Sequence, residues 1–143
     1  MKFLKFVFLV STLFLASCQS SSADKSLYYN ITIGGQTFET ELADTPEKRI
    51  QGLMSRSSLD KNKGMLFSFE KEGFHAIWMK NTLLPLDIIW ISKDQRVVDV
   101  QSLSPCTEDP CPSFRPRSPA KFILEVNKGS FLGQIGNYVL LEK

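Results

Sequence analysis

Histidine and cysteine are scarce in this sequence. Its 143 residues include one histidine, His75, and three cysteines, Cys18, Cys106 and Cys111. A structural zinc site needs four ligands, usually cysteines and histidines in two close pairs, and this chain has only one close pair. Four residues separate Cys106 from Cys111, whereas a redox dithiol usually has two between its cysteines. We therefore expect no metal site and no bound cofactor.

The sequence also lacks a hydrophobic run long enough to cross a bilayer as a helix. The run Phe6 to Leu15 follows Lys2 and Lys5, and its length suits a secretory signal peptide. It ends in Leu-Ala-Ser-Cys at residues 15–18, which resembles the bacterial lipobox. The resemblance implies removal of residues 1–17 and lipid attachment to Cys18. The alternative is an ordinary signal peptide followed by a chance cysteine.

An anchored chain of this kind has three parts. Residues 1–17 form the signal peptide, residues 18–26 a short polar tether, and residues 27–143 a single domain. We expect the domain to face the periplasm or the cell surface. Gln19 rather than aspartate follows the cysteine, which resembles lipoproteins sent to the outer membrane of hosts that have one.

Positive and negative side chains are nearly balanced in number. The chain has 17 Lys and Arg against 15 Asp and Glu, and loss of Lys2 and Lys5 leaves 15 of each. Nucleic-acid binding depends on clustered positive charge, and no basic block is present. We therefore expect no nucleic-acid partner. The membrane would be contacted through lipid on Cys18, and we expect a monomer.

The remaining two cysteines lie in the proline-rich stretch "SPCTEDPCPSFRP". Exported proteins meet an oxidising environment in which disulfides persist, so the sequence predicts a Cys106–Cys111 bond. The closed ring is small, and in the chain-entropy model it contributes only about 2 kcal/mol. The bond would therefore shape a loop more than stabilise the fold.

Short alternating apolar stretches dominate the domain, without a regular alternation of strands and helices. Strands are predicted near residues 28–33, 36–42, 65–69, 74–79, 86–92, 97–103, 121–126 and 138–141. One helix is predicted over about residues 46–54, with Thr45 as its cap and Pro46 at its first position. The pattern favours a mostly β, antiparallel sandwich or barrel with this helix packed on it.

The stretch "FHAIWMKNTLLPLDIIWIS", residues 74–92, places a polar insert between apolar runs. Alternation puts Asp87 on the same strand face as Ile89 and Ile91, and a buried carboxylate needs a partner. We expect Lys80 or Asn81 to supply it. The arrangement would be either a structural lock or the wall of a polar pocket rimmed by aromatic and imidazole side chains, namely Trp78, Trp90 and His75. His75 alone reads as an exposed strand residue.

Several motifs together resemble the domain-of-unknown-function 192 family (DUF192). They are Gly-Leu-Met-x-Arg at 52–56, Gly-Met-Leu-Phe at 64–67, Trp-Met-Lys-Asn-Thr at 78–82 and Pro-Leu-Asp at 85–87, within a match from about Glu41 to Gly136. The resemblance implies a compact, jelly-roll-like β domain, frequently exported, without an established reaction. It carries over a polar signature without assigned roles: Arg56, Lys80, Asn81, Asp87 and Glu125.

Two functional classes remain open from the sequence. The first is a non-catalytic, lipid-anchored envelope module that binds a small molecule, a glycan or an envelope protein. The second is a small envelope hydrolase, for example one acting on glycans, using carboxylates such as Glu41, Asp87 or Glu125. Ser58 and Lys61 match the Ser-x-x-Lys of penicillin-binding enzymes, but the chain is too short for that fold and lacks its companion motifs. No catalytic residue is assigned, and the binding role is favoured.

Overall fold

The computed structural model describes residues 28–143. The predicted signal peptide, the tether and the lipidation site Cys18 lie outside the described residues. Within 28–143 there are nine strands and one helix. In chain order they are β1 (Tyr28–Ile33), β2 (Gln36–Ala43), α1 (Pro46–Gln51), β3 (Lys63–Gly73), β4 (Ile77–Trp78), β5 (Leu86–Ile91), β6 (Val97–Leu103), β7 (Ser113–Phe114), β8 (Ala120–Asn127) and β9 (Val139–Glu142).

Seven of these strands form one sheet in the order β6-β5-β8-β3-β2-β1-β9, and β4 pairs with β7 in a small separate sheet. The two edge strands of the large sheet meet where Arg96 and Tyr138 form an antiparallel bridge. The Val139 N–H also donates to the Gln95 carbonyl at 2.9 Å. The sheet is therefore curled into a barrel-like shape, which confirms the mostly β prediction.

One neighbouring pair departs from the antiparallel pattern. Strands β2 and β3 run parallel, with Glu41 opposite Met65. A parallel pair needs a long crossover connection, and helix α1 with residues 52–62 supplies it. Gly34 and Gly35 form the hairpin turn between β1 and β2: both glycines have positive φ, and Ile33 pairs with Gln36 across the turn.

The curl gives the sheet two covered faces. An inner core fills the curl with apolar side chains from all seven strands: Ile31, Ile33, Phe38, Leu66, Ile89, Ile91, Val97, Leu124, Val126 and Val139. An outer core lies under α1 and the loops: Ala43, Leu53, Met65, Phe67, Met79, Leu86, Ile88, Trp90, Leu103, Ala120 and Ile123. All six residues of β5 are buried, and they alternate between the two cores as the sequence predicts.

Two elements differ from prediction. Helix α1 ends at Gln51 rather than near Met54, because Gly52 at φ 45° leaves the helix while its N–H caps the Lys48 carbonyl. Leu53 is buried, but Ile50 is 65% exposed. The predicted strand over 74–79 shortens to Ile77–Trp78, and Phe74 and Trp78 are exposed. No helix in the described part of the chain is both long and apolar enough to cross a membrane.

Candidate ligand-binding cleft

Glu125 is a buried acid on the outer face of β8. It lies opposite Met65 on one side and Ile88 on the other, and only 5% of its surface is exposed. No group among residues 28–143 forms a hydrogen bond with its carboxyl, and burial raises the pKa of Glu125 to about 8. At neutral pH its side chain is therefore a neutral carboxylic acid that can donate a hydrogen bond.

The Glu125 carboxyl opens into a narrow cleft between the end of α1 and Trp78. The space directly above it is about 20 Å³, enough for one water-sized group. A wider apolar groove of about 350 Å³ continues from it. Both parts are lined by Arg49, Ile50, Phe67, Ile77 and Trp78.

The remaining lining residues differ between the two parts. Gln51, Gly52, Leu53, Met54, Thr82 and Glu125 surround the narrow part. Pro46, Phe69 and Ala76 complete the groove. Glu125 is the only acid in either set. The cleft thus joins an apolar, aromatic-rimmed body to one polar end, which is typical of small-molecule sites.

Two strained loop residues hold the cleft walls together. Ser55 and Asn81 have φ of 61° and 54°, a region that side-chain-bearing residues adopt rarely. The Ser55 N–H donates to the Asn81 carbonyl at 2.8 Å, which joins the loop after α1 to the loop after β4. Backbone strain of this kind is concentrated at functional sites. Asn81 therefore acts through its backbone, while its side chain is exposed.

Two cations lie near the cleft. The Arg49 guanidinium donates to the carbonyls of Asp44 and Ser68 at 2.7 and 2.8 Å and lies 5.2 Å from the Phe69 ring centroid. The Lys80 ammonium lies 5.3 Å from the Trp78 ring centroid, which is within cation–π range. The entrance to the cleft is therefore positively charged.

The expected pairing of Asp87 with Lys80 or Asn81 is wrong. Asp87 is buried on the inner face, where its carboxylate accepts from the Ser102 hydroxyl at 2.5 Å and from the N–H groups of Gly129 and Phe131 at 2.8 and 3.3 Å. No salt bridge among the described residues includes Lys80. The alternation along β5 directs Asp87 into the curl, away from the exposed Lys80. Asp87 fastens the loop after β8 to β5.

The three carboxylates named for a hydrolase do not meet. Glu41 and Glu125 share one cross-strand row on the outer face, but Met65 stands between them, and two strand spacings separate them by roughly 10 Å. Glu41 opens into a different depression and is bound by both terminal nitrogens of Arg56, at 2.5 and 2.8 Å. That hydrogen bonding lowers the pKa of Glu41. Arg56 therefore anchors the loop after α1 to β2.

The predicted pocket aromatics separate. Trp78 is 44% exposed and lines the cleft, whereas Trp90 is fully buried in the outer core. The Trp90 indole N–H donates to the His75 carbonyl at 3.1 Å. The His75 ring stacks on Phe69 with ring centroids 3.7 Å apart. Trp90 and His75 thus support the groove from behind and do not line it.

The loop between β6 and β8 is fixed at two places. Cys106 and Cys111 form the predicted disulfide, with Cα atoms 5.9 Å apart. At the second place, which was not predicted from the sequence, the Asp99 carboxylate accepts from the Arg117 guanidinium at 2.7 and 2.9 Å. Burial raises the pKa of Asp99, but the hydrogen bonds from Arg117, Gln101 and backbone N–H groups together lower it. Simple alternation along β6 does not indicate this position, because a register shift places Asp99 opposite Trp90 on the outer face and Val97 opposite Ile91 on the inner face.

Most of the cleft wall was not predicted from the sequence. Ile50 and Thr82 line the cleft, and neither was singled out as a site residue. Glu125 was named only through the family resemblance. Its alternation with Ile123 on the outer face of β8 could have indicated a buried acid.

Comparisons with known proteins agree with this fold. A family model, DUF192, described as "Uncharacterized ACR, COG1430", matches residues 29–135. No curated protein matches the chain. A crystal structure from Sinorhizobium meliloti 1021, described as a putative transcription regulator, is 29% identical with a TM-score of 0.71 and covers 80% of this chain and 92% of that one. A protein of unknown function from Novosphingobium aromaticivorans DSM 12444 is 28% identical with a TM-score of 0.70, covering 80% and 84%.

Proposed function

The chain belongs to the DUF192 family, and from that premise we propose that it is a non-catalytic cell-envelope module that binds a small molecule in the cleft above Glu125. One observation carries the proposal: a buried carboxyl that has no hydrogen-bond partner among residues 28–143 opens into an apolar cleft. No side-chain oxygen of the described residues is both fully buried and without a partner, so the Glu125 oxygens are accessible from the cleft. A ligand in the cleft can therefore form the hydrogen bond that the fold does not supply.

Binding is favoured over hydrolysis by the placement of the acids. A glycosidase needs two carboxyl groups on either side of one bond. Here Glu125 is the only acid that lines the cleft, Glu41 is held by Arg56, and Asp87 lies on the opposite face of the sheet. The description of the Sinorhizobium protein as a putative transcription regulator applies to that protein. The balanced charge of this domain gives no support for transferring a nucleic-acid role.

The proposed location is the membrane surface, with lipid on Cys18 and the domain exported. The disulfide between Cys106 and Cys111 is compatible with an oxidising compartment. An anchor of this kind would hold the cleft near the membrane without contributing to the cleft itself.

The test compares two exposed apolar residues. Ile50 is 65% exposed at the cleft, and Leu132 is 84% exposed and lines neither part of it. Full-length parent, Ile50→Asp and Leu132→Asp are purified, and the small molecules released on denaturation are quantified by mass spectrometry. We expect parent and Leu132→Asp to release the same enriched compound. Ile50→Asp should release at least about tenfold less, because a charge replaces apolar contact.

Two results would contradict the binding function. One is equal release from all three proteins, which would place any bound compound outside the cleft. The other is the absence of any enriched compound from the parent protein.

A further inference from the structure

The proton on Glu125 limits which ligands fit the cleft. Burial raises the pKa of Glu125 to about 8, so at pH 7 the group is a hydrogen-bond donor and carries no charge. The position of Glu125 also indicates a hydrogen bond to a ligand. Only 5% of its surface is exposed, no described residue donates to its carboxyl, and the carboxyl borders the narrow end of the cleft.

We propose that the ligand has an apolar body and ends in a small uncharged hydrogen-bond acceptor, such as a carbonyl oxygen, to which Glu125 donates. This inference rests on the proposed binding function and adds the chemical class of the ligand.

The dimensions of the cleft support this class. About 20 Å³ lies above Glu125, which admits one water-sized group such as a carbonyl oxygen. The groove of about 350 Å³ is lined mainly by apolar and aromatic side chains, so the rest of the ligand is apolar. A head group that brings several polar atoms to this end does not fit the narrow part of the cleft.

The charges around the cleft disfavour a cationic head group. Of the charged side chains on α1, β3, β5 and β8, only Arg49 and Glu125 line the cleft. Lys80 lies over the Trp78 ring at the rim. The negative charge of Glu41 is paired with Arg56, and Asp87 faces the inner core. An amine would therefore pass two cations to reach an acid that is neutral at pH 7.

The experiment compares 2-hexanone with n-hexylamine, which have similar apolar chains and different heads. Binding to the full-length protein in lipid nanodiscs is followed by the NMR signal of the Trp78 indole N–H at measured free probe concentrations. The buried Trp90 indole, which donates to His75, serves as the internal reference. We expect 2-hexanone to bind at least about fivefold more tightly than n-hexylamine at pH 7.

Two variants of Glu125 and a change of pH test the donor role. Glu125→Gln keeps a donor of similar shape and should bind 2-hexanone within about threefold of the parent, whereas Glu125→Ala should weaken binding at least about tenfold. Because the pKa is about 8, parent affinity should fall about tenfold from pH 7 to pH 9 as the donor proton is lost. The affinity of Glu125→Gln should stay constant.

The outcomes separate the two proposals. Tighter binding of n-hexylamine, or equal losses in Glu125→Gln and Glu125→Ala, would overturn the ligand class and leave the cleft as a binding site. A parent affinity that does not change from pH 7 to pH 9 would also overturn it. If neither probe moves the Trp78 signal, or if Ile50→Asp binds both probes as the parent does, the binding function itself fails.

Discussion

Asp87 and Glu125 are buried carboxyl groups on opposite faces of one sheet, and their surroundings give them opposite roles. Asp87 accepts three hydrogen bonds, from one hydroxyl and two backbone N–H groups, so its oxygens are occupied by the fold. Glu125 has apolar neighbours and a raised pKa. The first residue fixes a loop, and the second leaves a polar group available to a ligand.

Replacing Asp87 should destabilise the protein much more than replacing Lys80. Asp87→Ala removes a buried acceptor and leaves the N–H groups of Gly129 and Phe131 without it, so we expect a loss of roughly 3–5 kcal/mol. Lys80→Ala removes only an exposed cation–π contact and should cost less than about 1 kcal/mol. Denaturant unfolding of both single variants and the double variant measures this. A coupling free energy above about 1 kcal/mol between the two residues would contradict the structure.

Alternation along the strands is enough to indicate that both acids are buried, but it does not indicate their hydrogen-bond partners. Alternation places Asp87 beside Ile89 and Ile91, and the same rule places Glu125 beside Ile123. Besides Ser102, the partners of Asp87 are Gly129 and Phe131, 42 and 44 residues away. The antiparallel pairing of β5 with β8, which places Leu86 opposite Asn127, brings that loop to Asp87. Nearness in sequence to Lys80 therefore suggested the wrong partner.

At the scale of elements, the cleft depends on short segments with little regular structure of their own. Helix α1 has six residues, none of them buried, and β4 has two residues. Two hydrogen bonds fix their positions. The Arg49 guanidinium donates to the Ser68 carbonyl, and the Ser55 N–H donates to the Asn81 carbonyl. The apolar pattern of residues 74–79 predicted a longer strand, because exposed groove residues such as Trp78 have the same composition as a buried strand.

The disulfide should contribute little to stability, because its loop has other anchors. Cys106→Ala with Cys111→Ala should lower the free energy of unfolding by about 2 kcal/mol or less, as the closed ring is short. The salt bridge between Arg117 and Asp99 and the pairing of β4 with β7 still hold the loop between β6 and β8. Thermal or denaturant unfolding of the double variant, with the reduced parent as control, checks this. A loss above about 4 kcal/mol would show that the bond stabilises the whole fold.

At the scale of the whole molecule, the mostly β architecture follows from the sequence, but the curled sheet does not. Strand β5 has apolar side chains on both of its faces, a pattern that indicates a covered central strand, and all six of its residues are buried. The parallel pair of β2 and β3 and the bridge from Arg96 to Tyr138 are long-range pairings. Local alternation contains no information about which strands become neighbours.

The membrane anchor is a prediction for the same scale. Cys18→Ser removes the thiol that would carry lipid, so the variant should leave the detergent phase in a detergent-partition experiment while the parent remains there. Cys106→Ala with Cys111→Ala is the matched control, because it removes two cysteines without affecting the anchor. Equal partition of parent and Cys18→Ser into detergent would exclude lipidation at Cys18.

An NMR titration of the Glu125 side-chain carboxyl carbon, with and without saturating 2-hexanone, measures whether Glu125 binds the ligand in its protonated form. We expect a pKa of about 8 in the free protein. We expect a higher pKa in the complex, because the ligand binds the protonated form and so stabilises it. A pKa near the ordinary value of 4.5, or one that saturation with the probe leaves unchanged, would show that Glu125 is not the hydrogen-bond donor to the ligand.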